Sequence, residues 1–239
     1  MHRLGKVMPP GAEKSGMRNF LSRLTVGLVV STLLGSPGVL AKKWEKLSEE
    51  DGIAVYRREV RNSSLLAVKG EALVDASAAK IVAILLDQDH KAEWVDRLYI
   101  AKTLETVSPV EIVHYAAFNM PAIVSNRDIV YRSTYSVDLA QKVIRIVLRS
   151  VEHKDQPPTV GVRAILKRGS YLLYPREGGS KTWVVVENHL DPMGYLPALL
   201  VNAIQKSWPY KTLAGLRSQA AKPDIKDHPR VADDLKLIL

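Results

Sequence analysis

Between residues 99 and 189 the sequence presents six strand-like runs joined by short links, and this succession constrains the fold more than any other feature. Residues 99–107, 111–118, 129–138, 142–151, 162–174 and 182–189 are rich in Val, Ile, Thr and Tyr and tend to alternate apolar with polar positions. Ser108-Pro109, Asp138 to Gln141, Gln156-Pro157-Pro158 and Glu177-Gly178-Gly179 punctuate them. A parallel return needs a crossover of about a dozen residues or more, and these links are shorter. The runs therefore predict one large antiparallel sheet.

Residues 53–60 and 65–74 read as a β-hairpin around Arg61-Asn62-Ser63-Ser64. Asp75-Ala76-Ser77 is a helix N-cap signal, followed by Ala78, Ile81, Val82, Ile84, Leu85 and Leu86 at helical spacing. Trp44 and Leu47, three apart, predict two amphipathic helical turns over 44–50, and 87–97 predicts a short polar helix or turn. The last strong element is a helix over 196–220, with Leu196, Leu199, Leu200, Ala203, Ile204, Ser207 and Trp208 near one face. Pro209 lies inside it without an N–H and crowding the carbonyl of Gln205, so a kink is expected. From residue 222 the sequence reads as a tail, with 231–239 as a terminal helical turn.

Composition removes several classes of function. With 46% apolar and 25% charged residues, the 239-residue chain is globular and long enough for an ordinary core. The absence of cysteine excludes disulfides, thiolate nucleophiles and thiolate metal sites. The six histidines, at 2, 90, 114, 153, 189 and 228, show no metal-ligand spacing, and no nucleophile elbow, phosphate loop or dinucleotide fingerprint is present. Neither a metal nor a cofactor is expected, and no catalytic residue stands out. Of the net charge of +9, residues 1–41 carry four, through Arg3, Lys6, Lys14, Arg18 and Arg23 against Glu13, leaving +5. That balance lacks the dense basic stripe of a nucleic-acid-binding protein and fits transient contact with the anionic headgroups of a membrane surface, or nothing beyond solubility.

The amino-terminal segment reads as an address. Arg18 and Arg23 precede an apolar run over 24–34, Gly35-Ser36-Pro37-Gly38 breaks it, and Val39-Leu40-Ala41 supplies the modest residues that a signal peptidase inspects. The run is well short of the ~20 apolar residues that span a bilayer. The expected organisation is a leader and secretory signal over 1–41 cleaved after Ala41, a single domain over 42–221 and a tail over 222–239, exported to the periplasm or beyond. Either Met17 is the true start or the signal has a long leading region.

In the remaining sequence, Pro121-Ala-Ile-Val-Ser-Asn126-Arg127-Asp128-Ile-Val-Tyr131, Glu93-Trp94-Val-Asp96 and Leu196-Pro197-Ala198-Leu-Leu-Val-Asn202-Ala203, with Pro209 and Leu213 to Arg217 downstream, occur in the order of a known family. Together they resemble the START (StAR-related lipid transfer) family over roughly residues 42 to 221. The resemblance implies an α+β helix-grip fold, in which a curved antiparallel sheet is closed by the long C-terminal helix over an apolar cavity. It also implies a lid formed by that helix and an adjacent loop, a monomer, and a lipid or other apolar small molecule as partner. Some members face an acidic and a basic side chain across the tunnel, and those places fall on His114 and Ser133 here.

On that reading Leu199, Leu200, Ala203, Ile204 and Trp208 are the lid-face candidates. Tyr115, Tyr131, Tyr171 and Trp183 are strand aromatics that line the tunnel or pack beneath the small helices. Arg127 and Asp128 are read as a structural clamp between loop and sheet, with headgroup binding as the other role. An aromatase/cyclase-like enzyme using the same cavity, or an interaction module with a filled core, are the rival readings.

Overall fold

The computed structural model describes residues 43–196 and 198–239, apart from the side chains of Ala198, Leu199, Asn202 and Gln205. The expected signal segment and its cleavage position lie outside the described residues. Among the described residues ten strands form a single sheet: β1 (Glu45–Glu50), β2 (Ile53–Glu59), β3 (Leu66–Val74), β4 (Leu98–Ser108), β5 (Glu111–Phe118), β6 (Arg127–Asp138), β7 (Val143–Ser150), β8 (Val162–Arg163), β9 (Ile165–Arg176) and β10 (Lys181–Asp191). Their spatial order is β1-β2-β3-β10-β9-β7-β6-β5-β4. Those nine strands pair antiparallel, and the two-residue β8 adds a parallel contact to the start of β6.

Two departures from expectation have local causes. Residues 45–50 form a strand, because Asp51 and Gly52 both take positive φ (51° and 66°), the geometry of a two-residue hairpin turn that folds 45–50 back onto β2. The run predicted over 162–174 divides at Ala164. Val162 and Arg163 pair with Arg127 and Asp128, and Ile165 opens the long β9. The helix expected over 196–220 is α2 (Ala198–Ala220), and it runs as one helix through Pro209.

The expected N-cap is formed, with Ser77 Oγ accepting the Lys80 N–H at 3.0 Å to start α1 (Ala78–Leu86). A single 3-10 turn (Lys91–Glu93) leads from α1 toward β4. The polypeptide ends in α3 (Pro229–Leu235), whose Val231 and Leu235, together with Ile238 just beyond, are buried in the main core. Three side chains of residues 222–239 are thus part of the domain's core.

Register sorts every strand residue onto one of two faces. Ile53, Val55, Gly70, Ala72, Val184, Val186, Leu173, Ile144, Ile146, Ser133, Tyr131, His114 and Ala116 share the inner face. α2 meets this face at Gly70, where an added Cβ would lie 2.9 Å from both Leu213 Cδ1 and Pro209 Cβ. The residues between them, including Val113, Tyr115, Ala117 and Val130, form a separate apolar cluster on the outer face. The connection after β7 contributes Val151 to that cluster.

Candidate ligand-binding site

The inner face has two chemically different regions. Across β2, β3 and β10 it is aliphatic, with Ile53, Val55, Ala72, Val184 and Val186 at most 1% exposed. Across β5, β6, β7 and β9 it carries aromatic rings and polar tips. His114 and Tyr131 stand opposite one another in the ladder with ring centroids 5.2 Å apart. His114 Nε2 lies 3.0 Å from Ser133 Oγ, and His114 is only 2% exposed.

The two positions that the sequence resemblance sets across the tunnel are thus joined by a hydrogen bond between uncharged side chains. Burial, aided by the nearby Lys91 charge, pushes the His114 imidazole down to about 3, so it is uncharged at neutral pH. Ser133 Oγ also approaches the Ile112 carbonyl at 3.4 Å. With the serine proton directed there, the imidazole donates from Nε2 and leaves Nδ1 as an acceptor. Nδ1 is buried and has no partner among the described residues.

Lys91 supplies the positive charge near this floor. Its ammonium donates to the Leu85 carbonyl at 2.8 Å, and burial pulls its pKa down to about 8. The hydroxyls of Tyr131 and Tyr171 are pushed up, chiefly by burial, and stay protonated.

The expected tunnel-lining aromatics divide by strand parity. Tyr131 and Tyr171 are on the inner face, Tyr171 opposite Ile146 and Val186. Tyr115 and Trp183 are on the outer face, and this corrects their assignment to the same lining. A one-residue difference in a strand reverses the side chain, and the anchoring row of β5 is Ile112-His114-Ala116. Tyr115 instead donates to Asp128 Oδ2 at 3.1 Å, and its own hydroxyl is pushed up to about 12 by burial and that carboxylate.

Asp128 is 0% exposed and fully engaged. Arg163 bonds its Oδ1, while Oδ2 accepts from Tyr115 and from the Val160 N–H at 2.9 Å. The neighbouring Arg127 donates to backbone carbonyls, those of Ser125, Pro192 (3.5 Å) and Met193 (3.4 Å). Arg127 thus ties the loop before β6 to the turn leading into α2, and Asp128 ties the loop before β8 to the outer face.

α2 has unequal halves. In the second, Leu213 and Leu216 are fully buried, Arg217 donates to the carbonyls of Leu73 (3.0 Å), Asp51 (2.6 Å) and Gly52 (3.3 Å), and Tyr210 donates to Asp51 at 2.7 Å. Trp208 joins this core. In the first half Leu200, Val201 and Ile204 are half-buried and Ala203 is exposed, while the Leu199 side chain lies outside the described residues.

Comparison with known proteins now decides the family. A model of the START domain matches residues 32–217. The chain belongs to the START domain family. It is 28% identical over 212 residues to an uncharacterized protein of Pseudomonas aeruginosa, covering 86% of this chain and all of that one. The phosphatidylcholine transfer protein of Mus musculus is 27% identical over 177 residues, 73% of this chain and 82% of the relative. A solved STAR-related lipid transfer protein fragment from Xanthomonas axonopodis superposes with a TM-score of 0.66 at 28% identity, over 75% of this chain and 99% of that fragment. The START fold expected from the strand order and terminal helix is therefore established, and lipid binding or transfer is the general activity of the family to which these relatives point.

Sequence reasoning missed two parts of the site. Lys91 reads as one more charge in a polar stretch, and its hydrogen bond to the Leu85 carbonyl carries no sequence signal. The terminal helical turn over 231–239 was legible in the spacing of Val231, Leu235 and Ile238, but that spacing does not tell which surface α3 covers.

Proposed function

We propose that this START domain holds a lipid, or another amphiphile with a long apolar part, between the leading half of α2 and the β5–β7 and β9 region of the inner face. The observation that carries this reading is the incomplete burial of apolar groups there. Leu148, Ile129, Phe118 and Tyr171 belong to the helix-facing side of the sheet, and Leu200 and Ile204 to the helix, yet all stay half-buried. Covering such surface yields roughly 25 cal/mol per Å2, enough to drive capture of an acyl chain. The names of the mouse and Xanthomonas relatives support the ligand class. Tyr131, Tyr171, Leu200, Ala203, Ile204 and Trp208 are the side chains assigned to it, with the His114 Nδ1 acceptor available to a hydroxyl or other uncharged donor on the ligand.

The ligand leaves chemically unchanged on this reading. A serine hydrogen-bonded to a histidine is one half of a nucleophilic device, but an imidazole held at about 3 is a poor base. Its other nitrogen also lacks the orienting acid of a triad among the described residues. We further propose export as a monomer, with transient contact at a membrane surface during loading. The N-terminal sequence of the protein recovered from the periplasm or medium tests this, and an intact residue 17–41 segment there would overturn it. The carrier function is tested by mass spectrometry of lipids that co-purify with the protein and by transfer of fluorescent phospholipid between liposomes. Binding and transfer are expected, and inability to hold or move any amphiphile overturns the reading.

A further inference from the structure

The segment after α2 lies beyond the START match, which ends at residue 217, yet it is built into the domain. It turns back over α1. Lys80 Nζ donates to the Lys222 carbonyl at 2.7 Å, Ser77 Oγ donates to Asp227 Oδ1 at 2.7 Å, and the His228 N–H donates to the Ala79 carbonyl at 3.1 Å. α3 then lays Val231 (2% exposed), Leu235 (6%) and, just beyond it, Ile238 (3%) into the core. Asp234 Oδ2 accepts from the Tyr135 hydroxyl at 2.7 Å, and Arg230 lies over the Tyr135 ring at 5.9 Å.

Register gives this docking its meaning. Tyr135 faces inward opposite Ile146, one step along the same row from Ser133, which bonds His114. The β4–β5 and β6–β7 turns are at this end of the sheet, and the Pro192–Gly194 turn into α2 is at the other, beside the start of β6. The tail therefore meets the polar floor from the end opposite the lead-in to α2. Between them remains a void of about 30 Å3, lined by Val82, Ile112, Ser133, Ile146 and Val231 among others. That is room for about one water and too little for an acyl chain.

We propose that residues 222–239 are a stopper, closing the end of the inner face remote from the α2 lead-in and so setting the longest ligand the domain accepts. This rests on the carrier reading. Val231 is the wall that a chain end meets, with Tyr135–Asp234 and Ser77–Asp227 as the catches that hold it. Without the tail, Val82, Ile146 and the Tyr135 ring would border an opening continuous with Ser133.

The test uses straight-chain fatty acids of increasing length to displace anilinonaphthalene sulfonate from the full chain, from Val231→Ala, and from a form ending at Ala221. The full chain should gain affinity with length up to a limit and then lose it. In Val231→Ala the first length beyond that limit should bind about tenfold tighter, the worth of roughly two further buried methylenes. Truncation should move the limit further still. Because truncation removes three buried side chains, circular dichroism decides whether that form counts, and Val231→Ala carries the test if it does not fold. An unchanged length limit in Val231→Ala and in any folded truncated form overturns the stopper. Failure of every form, including the full chain, to bind any fatty acid or the dye overturns the carrier reading and the stopper with it.

Discussion

The inner face under the second half of α2 and the inner face across β5–β7 and β9 are built from the same sheet by opposite means. The first is aliphatic and closed, with Gly70 letting Pro209 and Leu213 sit on the backbone of β3. The second is aromatic, polar at its centre and incompletely covered, with one buried nitrogen, His114 Nδ1, that has no partner among the described residues. α2 is anchored over the first region by its second half, while Leu200, Val201 and Ile204 of its leading half stay half-buried. On the carrier reading proposed above, the ligand takes the part of the inner face that stays incompletely covered.

The largest effect should come from breaking the closed region. Leu213→Ala, at a position with no exposure, should cost about 2–5 kcal/mol in denaturant unfolding, with the usual cavity penalty. Gly215→Ala acts on the same half. Its Cβ would fall 2.2 Å from the Trp94 carbonyl oxygen, so the helix must shift and stability should drop by about 1–3 kcal/mol.

The open region should reveal itself through pH. The folded state holds His114 at about 3, against 6.5 in an unperturbed chain, so between these values the unfolded state binds more protons. The contribution of the neutral imidazole is full above 6.5 and is lost as pH falls toward 3, with a slope of up to about 1.4 kcal/mol per pH unit. His114→Gln should flatten that part of the stability profile, measured by urea titration at pH 7, 6, 5 and 4; an unchanged slope would show that the histidine is not buried neutral. The smallest effect on folding is expected for Ile204→Ala, under about 1 kcal/mol because the side chain is only half-buried, with weaker retention of co-purifying lipid as its main consequence. A loss as large as that of Leu213→Ala would erase the contrast between the two halves.

The strand runs, the Ser77 cap, the long terminal helix and the family were legible because each rests on local patterns: period two, period 3.6, a capping side chain and a motif order. The misreadings have the opposite character. Residues 45–50 carry a helix-compatible spacing, and the Asp51-Gly52 hairpin turn with its pairing to β2 overrides it. Tyr115 and Trp183 were read as strand residues, but nothing in an isolated strand tells which of its two faces will be covered by helices.

The sequence by itself determined the antiparallel sheet, the helix that closes it and membership of the START family, since periodicity and motif order are properties of neighbouring residues. Only the tertiary structure decided that His114 and Ser133 form an uncharged pair, that Lys91 engages the Leu85 carbonyl, that Asp128 serves the outer face and that Val231, Leu235 and Ile238 of the tail enter the core. Each of these depends on register and packing between residues from 6 to 150 positions apart. Such contacts are set by how the elements stack, which no local pattern encodes.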